Sequence, residues 1–502
     1  MKVKELLLKQ ASLSPARSAI IFKDKKTNFS QLRDASFKLA NYLINSGLNK
    51  SDKVAVFLPN IPEAVFSYLG VFSMGGILVP LDFMLSEEEV INLINHSEAK
   101  VLVSQYKKEV DLVRVQKSCP TLKDIILCRE KIDGFSFWDD VLRKGNPQEP
   151  RVEIEEISLS SIFYTSGSTG RPKGVVLTYK HFDSPIRCVD YYLRLSSKDV
   201  VLCGGLPLSH IAGFDFILLV LYFGSTLILM ERFLPLELLK NIQEYKVTLI
   251  WLVPSMYVAI LSLKKYDIFD LSSLKYLVVF GAPSSPVLLK RFHKICSNSY
   301  LLNGWGMTET SAPNCVLPPG LTRIESIGKF SPGMEAKVVD EEGNALKQGK
   351  EGELWVKGDA VMLGYYKEPE LTKEVLREDG WFKTGDIAKF DRKGLLYIVG
   401  RKKDMIKVAG EVVFSPEVEG VIHRHPKVKE VAVIGVPDRL RGEVPKAFIV
   451  PKQEEYIDTE ELKEFLRKHL AHFKIPHYLE LVKELPKTRS GKIDKSQLAY
   501  SK

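Results

Sequence analysis

Strand-sized apolar runs alternate with helical stretches along much of this chain, and that alternation restricts its fold more than any other feature. Val54-Ala55-Val56-Phe57-Leu58 reads as a strand, the stretch through Val65, Tyr68, Leu69 and Phe72 as a helix, and Ile77 to Leu81 as the next strand. Ser86 with Glu89 is a capping box that opens a helix to Asn95, and Val101-Leu102-Val103 is a strand again. The pattern resumes with strands at 200–202, 227–230, 249–253 and 276–280, separated by helices at 214–222, 235–245 and 255–263. Strands joined through helices build largely parallel sheets. Two comparable α/β halves are therefore predicted, with no short-period repeat and no low-complexity segment.

From Ser331 the texture changes. Pro332-Gly333, Glu341 to Asn344 and Lys350-Glu351-Gly352 act as turns between short alternating strands such as Glu353 to Val356, which predicts a β-rich subdomain. A small α+β unit follows Arg401, with Ser415 as N-cap before Pro416 and a second helix from Asp458 to about Leu470. The charged stretch Arg401-Lys402-Lys403-Asp404 is the natural cut, giving domains 1–402 and 403–502. The fold class is α/β: a large N-terminal domain of two α/β sheet subdomains plus a β-rich one, and a small C-terminal α+β domain.

At 502 residues, with 45% hydrophobic and 26% charged content, the chain reads as a soluble globular protein of more than one domain. Its net charge of +9 suits phosphate-bearing small molecules or peripheral contact with an anionic membrane, and does not by itself indicate nucleic acid. Cys119, Cys128, Cys188, Cys203, Cys296 and Cys315 show no metal or disulfide spacing, so a reducing cytoplasm is expected. Leu6-Leu7-Leu8 is too short for a signal-peptide core and reads as part of an amphipathic first helix. The apolar stretch from Phe214 to Met230 is broken by Asp215, Gly224, Ser225 and Thr226, so no membrane span is predicted.

Between two apolar strands lies Tyr164-Thr165-Ser166-Gly167-Ser168-Thr169-Gly170-Arg171-Pro172-Lys173-Gly174. Glycines let backbone amides approach a guest, and the hydroxyls with Lys173 add donors and positive charge, which together make a polyphosphate nest. The spacing is not that of a Walker loop. A plain linker would account for the small residues but not for Pro172-Lys173-Gly174 or the flanking strands. Further along, Asn303-Gly304-Trp305-Gly306-Met307-Thr308-Glu309 offers close backbone approach, a flat indole and hard carboxylate oxygens suited to Mg²⁺, although a core tryptophan beside a solvated turn would look the same.

These segments, in this order, resemble those of the AMP-forming adenylate enzymes, which include acyl-CoA synthetases, peptide-synthetase adenylation domains and beetle luciferases. The resemblance implies a nucleotide site made by Thr165, Ser166, Gly167, Ser168, Thr169, Gly170 and Lys173, by Gly281-Ala282-Pro283, and by Asn303 to Thr308. It places Thr308 at the α-phosphate, and magnesium at Glu309 with Thr165. Trp305 stands where the family has tyrosine, and Phe280 where it has the first glycine of a G-G-A-P turn. Asp386, in Thr384-Gly385-Asp386, would accept the ribose hydroxyls with Arg401 as partner. His210, in His210-Ile211-Ala212-Gly213, would lie near the carboxylate and thioester path. An acyl pocket of His210, Phe214, Gly281 and Gly304 is implied as well.

Lys492, in Pro486-Lys487-Thr488-Arg489-Ser490-Gly491-Lys492, resembles the family's catalytic lysine, with Lys173, His210 and Thr308 as the other catalytic candidates. The resemblance also implies that the small domain turns about Lys403, bringing Lys407, Ala409 and Gly410 to the site for the coenzyme A step. The activity it implies is that of an ATP-dependent acyl-CoA ligase with Mg²⁺. The apolar segment from His210 to Phe223 carries no lysine or arginine, which favours an apolar acid: a medium- or long-chain fatty acid first, a cinnamate-like aryl acid second. An acyl-AMP ligase loading a carrier protein and a silent nucleotide-binding protein are the competing readings. A dimer is compatible with all of them.

Overall fold

The computed structural model describes residues 2–165, 172–281, 286–409, 411–452, 455–488 and 492–498. Among these residues four sheets are formed. The first runs, edge to edge, through strands Gly364–Tyr365, Lys173–Thr178, Leu159–Thr165, Ile77–Pro80, Lys53–Phe57, Val101–Gln105, Asp124–Cys128 and Ser136–Phe137. Its centre is parallel, as the alternation predicts, while Leu159–Thr165 and Lys173–Thr178 form an antiparallel hairpin. The second sheet has parallel neighbours Thr226–Leu229, Val200–Cys203, Leu249–Leu252, Tyr276–Val279 and Tyr300–Trp305 at its centre. Strand Ser18–Phe22, from the start of the chain, joins it beside Thr226–Leu229.

Two helices face each other between these sheets, Pro62–Ser73 and Ile211–Phe223, and both are buried on nearly every side. A helix that is apolar all round has no solvent face to offer and belongs inside. The ring of Phe214 touches those of Tyr68, Phe72, Phe163 and Phe182, with centroids 5.0–6.3 Å apart, so one aromatic cluster ties the two sheets together. The first helix, Val3–Leu13, buries Leu7 and Ala11 and donates from Gln10 Nε2 to Leu221 O at 2.9 Å.

A four-stranded antiparallel sheet, Met334–Val339, Gly352–Gly358, Phe382–Phe390 and Leu396–Arg401, forms the β-rich unit. The turn Lys402–Asp404 leads into the last unit, where Met405–Val408 and Gly442–Pro451 pack under helices Ser415–Ile422 and Thr459–Arg467. Asp458 caps the second helix by accepting from Glu460 N. Ser415, expected as an N-cap, is instead the first helical residue. Its hydroxyl donates to Asp404 O at 3.1 Å and ties the helix to the preceding turn. No helix of the described residues is long and apolar enough to cross a membrane.

Asp215 sits in the middle of the buried helix, 1% exposed, and neither carboxylate oxygen has a hydrogen-bond partner. Burial pushes its pKa well above the ordinary carboxyl value, because desolvation disfavours the charged form. A group whose pKa rises on folding contributes stability below the ordinary carboxyl range and loses it as pH climbs. Leucine has nearly the same shape without the desolvated oxygens. Asp215→Leu is expected to stabilise the protein by about 1–3 kcal/mol at pH 8 and by much less at pH 4, read from thermal midpoints at both pH values.

Candidate active site

The hairpin stems fix the two ends of the glycine–serine–threonine loop. Thr165 pairs directly with Lys173 and Tyr164 with Gly174. On the other side, the two-residue strand Gly364–Tyr365 pairs with Val176 and Val175, and Tyr366 N donates to Gly174 O at 2.7 Å. Ser166, Gly167, Ser168, Thr169 and Gly170 lie outside the described residues, as do Ala282, Pro283 and Gly410. Lys173 extends its ammonium to 5.0 Å from the centre of the Tyr365 ring.

Tyr365 also reaches the acidic residue of the second motif. Its hydroxyl donates to Glu309 Oε1 at 3.0 Å, and Met362 N donates to Glu309 O at 2.8 Å. Glu309 lies in the short turn Thr308–Thr310 and is 8% exposed, whereas Asn303, Gly306, Met307 and Thr308 are half-buried. Burial raises the Glu309 pKa, while the Tyr365 hydrogen bond and the charges of Arg401 and Lys173 oppose the rise. Tyr365 is not among the residues the sequence singles out. Its role depends on an edge strand too short to leave a periodic signal.

Asp386 is the buried anion of the site. Trp305 Nε1 donates to its Oδ2 at 2.7 Å, and Arg401 Nε donates to its Oδ1 at 3.1 Å. Asp386 and Arg401 are opposite each other on adjacent antiparallel strands, and Trp305 ends a strand of the second sheet. The sequence offers Trp305 only as a flat face. In the structure its indole is 8% exposed, set edge-on to Phe330 at 5.6 Å, and its N–H holds the carboxylate. Each Asp386 oxygen keeps a further lone pair for a ligand hydroxyl.

Lys492 arrives from the C-terminal unit. It closes a turn in which Thr488 N donates to Lys492 O at 2.6 Å and Lys492 N donates to Thr488 Oγ1 at 3.2 Å. Its side chain crosses Gly281, which has φ +88°; a Cβ built on that glycine would lie 3.2 Å from Lys492 Cε and 3.7 Å from Nζ. The glycine therefore supplies both a left-handed backbone and clearance for the amine. The residue as a whole is exposed, yet protein crowds its ammonium. That desolvation, with Arg401 nearby, lowers the pKa to about 8, against the opposing pull of Asp386 and Glu309. Lys492, Arg401, Asp386 and Glu309 thus share one electrostatic site.

The remaining predicted residues divide. His210 precedes the helix Ile211–Phe223, and its Nε2 lies 3.3 Å from Asp82 Oδ2, which follows a strand of the first sheet. Phe214, expected in an acyl pocket, is fully buried in the aromatic cluster between the sheets and is not a pocket wall. The next aromatic along the helix, Phe216, points instead to Trp251. Lys403 is exposed in the turn Lys402–Asp404. Lys407 and Ala409 are exposed too: Lys407 N donates to Glu443 Oε2 at 2.9 Å, and Ala409 has φ +49°.

Among the described residues no three His, Cys, Asp or Glu side chains form a metal cage. Magnesium bound with nucleotide needs only one or two protein carboxylates, since phosphates and water complete its shell. Glu309, buried and facing the cations, fits that requirement.

Comparisons with known proteins identify the family. The model of the AMP-binding enzyme family matches residues 7–366, and that of the AMP-binding enzyme C-terminal domain matches residues 417–492. A long-chain-fatty-acid–CoA ligase of Bacillus subtilis (strain 168) is 33% identical over 99% of this chain and 94% of its own length. A feruloyl-CoA synthase of Amycolatopsis sp is 34% identical over 98% of this chain and 97% of its own. The crystal structure of the anthranilate CoA ligase AuaEII in complex with anthranoyl-AMP superposes with a TM-score of 0.92 at 26% identity, covering 99% of this chain and 96% of that one. The fold is that of the AMP-forming acid–CoA ligases, and the chain is an enzyme of that class. The chain belongs to the AMP-binding enzyme family.

Trp305→Phe keeps an aromatic ring but removes the N–H that holds Asp386 along with the volume of the pyrrole ring. The expected cost is about 1.5–3 kcal/mol of stability, the usual worth of a hydrogen bond to a charged group, measured by denaturant unfolding.

Proposed function

We propose that this protein joins an apolar carboxylic acid to coenzyme A through an acyl-AMP intermediate, with Lys492 as the cation that permits the first step. A carboxylate is a poor electrophile because its leaving group would be oxide. Attack of its oxygen on the α-phosphorus of ATP forms a new P–O bond, breaks the bond to the β-phosphate and releases pyrophosphate. The coenzyme A thiol then attacks the acyl carbon, AMP leaves, and the thiol proton goes to solvent or a base. In the first step two anions must meet, and a fixed cation between them lowers the barrier.

The observation that carries this reading is the position of Lys492, over Gly281 and within electrostatic reach of Arg401, Asp386 and Glu309. Asp386, held by Trp305 and Arg401, is assigned to the ribose. Lys173, Thr165 and the loop 166–170, with Gly281-Ala282-Pro283 and residues 303–308, are assigned to adenine and the phosphates. His210 is assigned to the acid's carboxylate. Magnesium, held by Glu309 with Thr165 beside it, would neutralise phosphate charge. The six unpaired, buried cysteines support a reducing, cytoplasmic setting.

We assign the two domains as 1–402 and 403–502, with Lys403 as the pivot. Turning the small domain would withdraw Lys492 after pyrophosphate leaves and present Lys407, Ala409 and Gly410 for the thiol step. Lys403→Pro is expected to keep acid-dependent pyrophosphate exchange and to slow thioester formation at least tenfold. Equal rates in the second half-reaction would remove the pivot assignment.

Lys492 is charged below its pKa of about 8 and neutral above it. The kcat/KM for ATP in pyrophosphate exchange is expected to fall as pH rises through that value. Lys492→Arg should move the alkaline fall upward. Lys492→Ala is expected to lower exchange by roughly a hundredfold or more while thioester formation from supplied acyl-AMP persists. Equal loss of both half-reactions would refute the role.

A further inference from the structure

The wall beside Lys492 bears on which acids can enter, an inference that rests on the acid–CoA ligase reading. The parallel strands Tyr276–Val279 and Tyr300–Trp305 end side by side, and the carboxyl edge of such a sheet is where ligands are received. At this edge two glycines offer backbone without side chains, Gly281 and Gly304. Gly281 lies under the Lys492 ammonium and also meets Val253, whose Cγ1 would be 3.4 Å from a Cβ there. An acid whose carboxylate sits at Lys492 must run its tail away from this point along the neighbouring surface.

Gly304 is not open. A Cβ built on it would lie 2.2 Å from Cζ of Phe280 and 2.5 Å from Cε2, so the Phe280 ring already rests on the glycine's backbone. Phe280 is 6% exposed and directly precedes Gly281, and consecutive Cα atoms are about 3.8 Å apart. The obstruction therefore begins one residue from the glycine that lies under the ammonium. The ring is also braced from behind. Its centroid is 4.8 Å from that of Trp251, which in turn lies 5.7 Å from that of Phe216 on the buried helix. Trp251 is 3% exposed and Phe216 is fully buried, so neither can retreat without opening the core.

We propose that Phe280 sets the length limit for the acid: its ring closes the acyl path over Gly304, and the enzyme activates compact acids, of single-ring or short-branched size, in preference to extended alkyl chains. The Phe280 ring, braced from behind by Trp251 and Phe216, gives such an acid an apolar face to pack against. It gives a long chain no straight route. A smaller residue at 280 would uncover Gly304 and lengthen the pocket in that direction.

The test is acid-dependent pyrophosphate exchange on the full chain, with butanoate, benzoate, octanoate and dodecanoate, for the wild type, Phe280→Ala and Phe280→Leu. The wild type should favour butanoate or benzoate over dodecanoate by at least tenfold in kcat/KM. Phe280→Ala should raise the dodecanoate-to-benzoate ratio by roughly ten- to a hundredfold, the scale on which pockets discriminate apolar volume. Phe280→Leu, which keeps most of the packing, should move the ratio the same way by less, and covers the case in which the alanine variant fails to fold. A wild type that uses dodecanoate as well as benzoate, or substitutions that leave the ratio unchanged, would overturn the Phe280 assignment alone. Exchange with none of the four acids, despite ATP binding, would overturn the ligase reading together with it.

Discussion

The carboxylate of Asp386 is the point at which the separate sheets of this protein become one site. Its own strand belongs to the antiparallel sheet, Arg401 comes from the neighbouring strand, and Trp305 reaches it from the end of the second parallel sheet. A buried anion is costly unless its oxygens are satisfied, so the three elements must keep their relative positions for the fold to hold. The Lys492 ammonium enters the same field from the C-terminal unit. Structural necessity and the proposed handling of a nucleotide thus draw on the same charges.

Much of this is legible along the chain, for a physical reason. Helical and strand periods are local, so the alternation from Val54 onward leads directly to parallel sheets, and the capping box at Ser86 and Glu89 forms as read. Lys173, Glu309, Asp386 and Lys492 lie in or beside glycine-bearing motifs whose composition is itself the signal, and the structure brings their charges near one another. What the chain does not spell out is contact between distant segments. Nothing near Ser18–Phe22 announces that it joins the second sheet, and nothing near Gly364–Tyr365 announces that it reaches Lys173 and Glu309.

The helix Ile211–Phe223 shows the limit most clearly. Because nearly every position is apolar, periodicity cannot tell which residues face the substrate side and which the core. Phe214 turns to the cluster with Phe72 and Phe182, and Phe216 turns to Trp251. Ser415 fails as a cap for a related reason: the helix starts one residue earlier, with Phe414 at the N-cap, and the Ser415 hydroxyl donates to Asp404 O. In both cases local chemistry allows several outcomes and packing chooses among them.

The short strand Gly364–Tyr365 has one more consequence. It lies at the outer edge of the first sheet, alongside Lys173–Thr178. Without it, the stem of the glycine–serine–threonine loop would present unpaired amides and carbonyls, a template onto which the backbone of another molecule could add. Tyr365 is anchored there by Glu309. The contact that shapes the acidic corner of the site therefore also guards the molecule against edge-to-edge self-association.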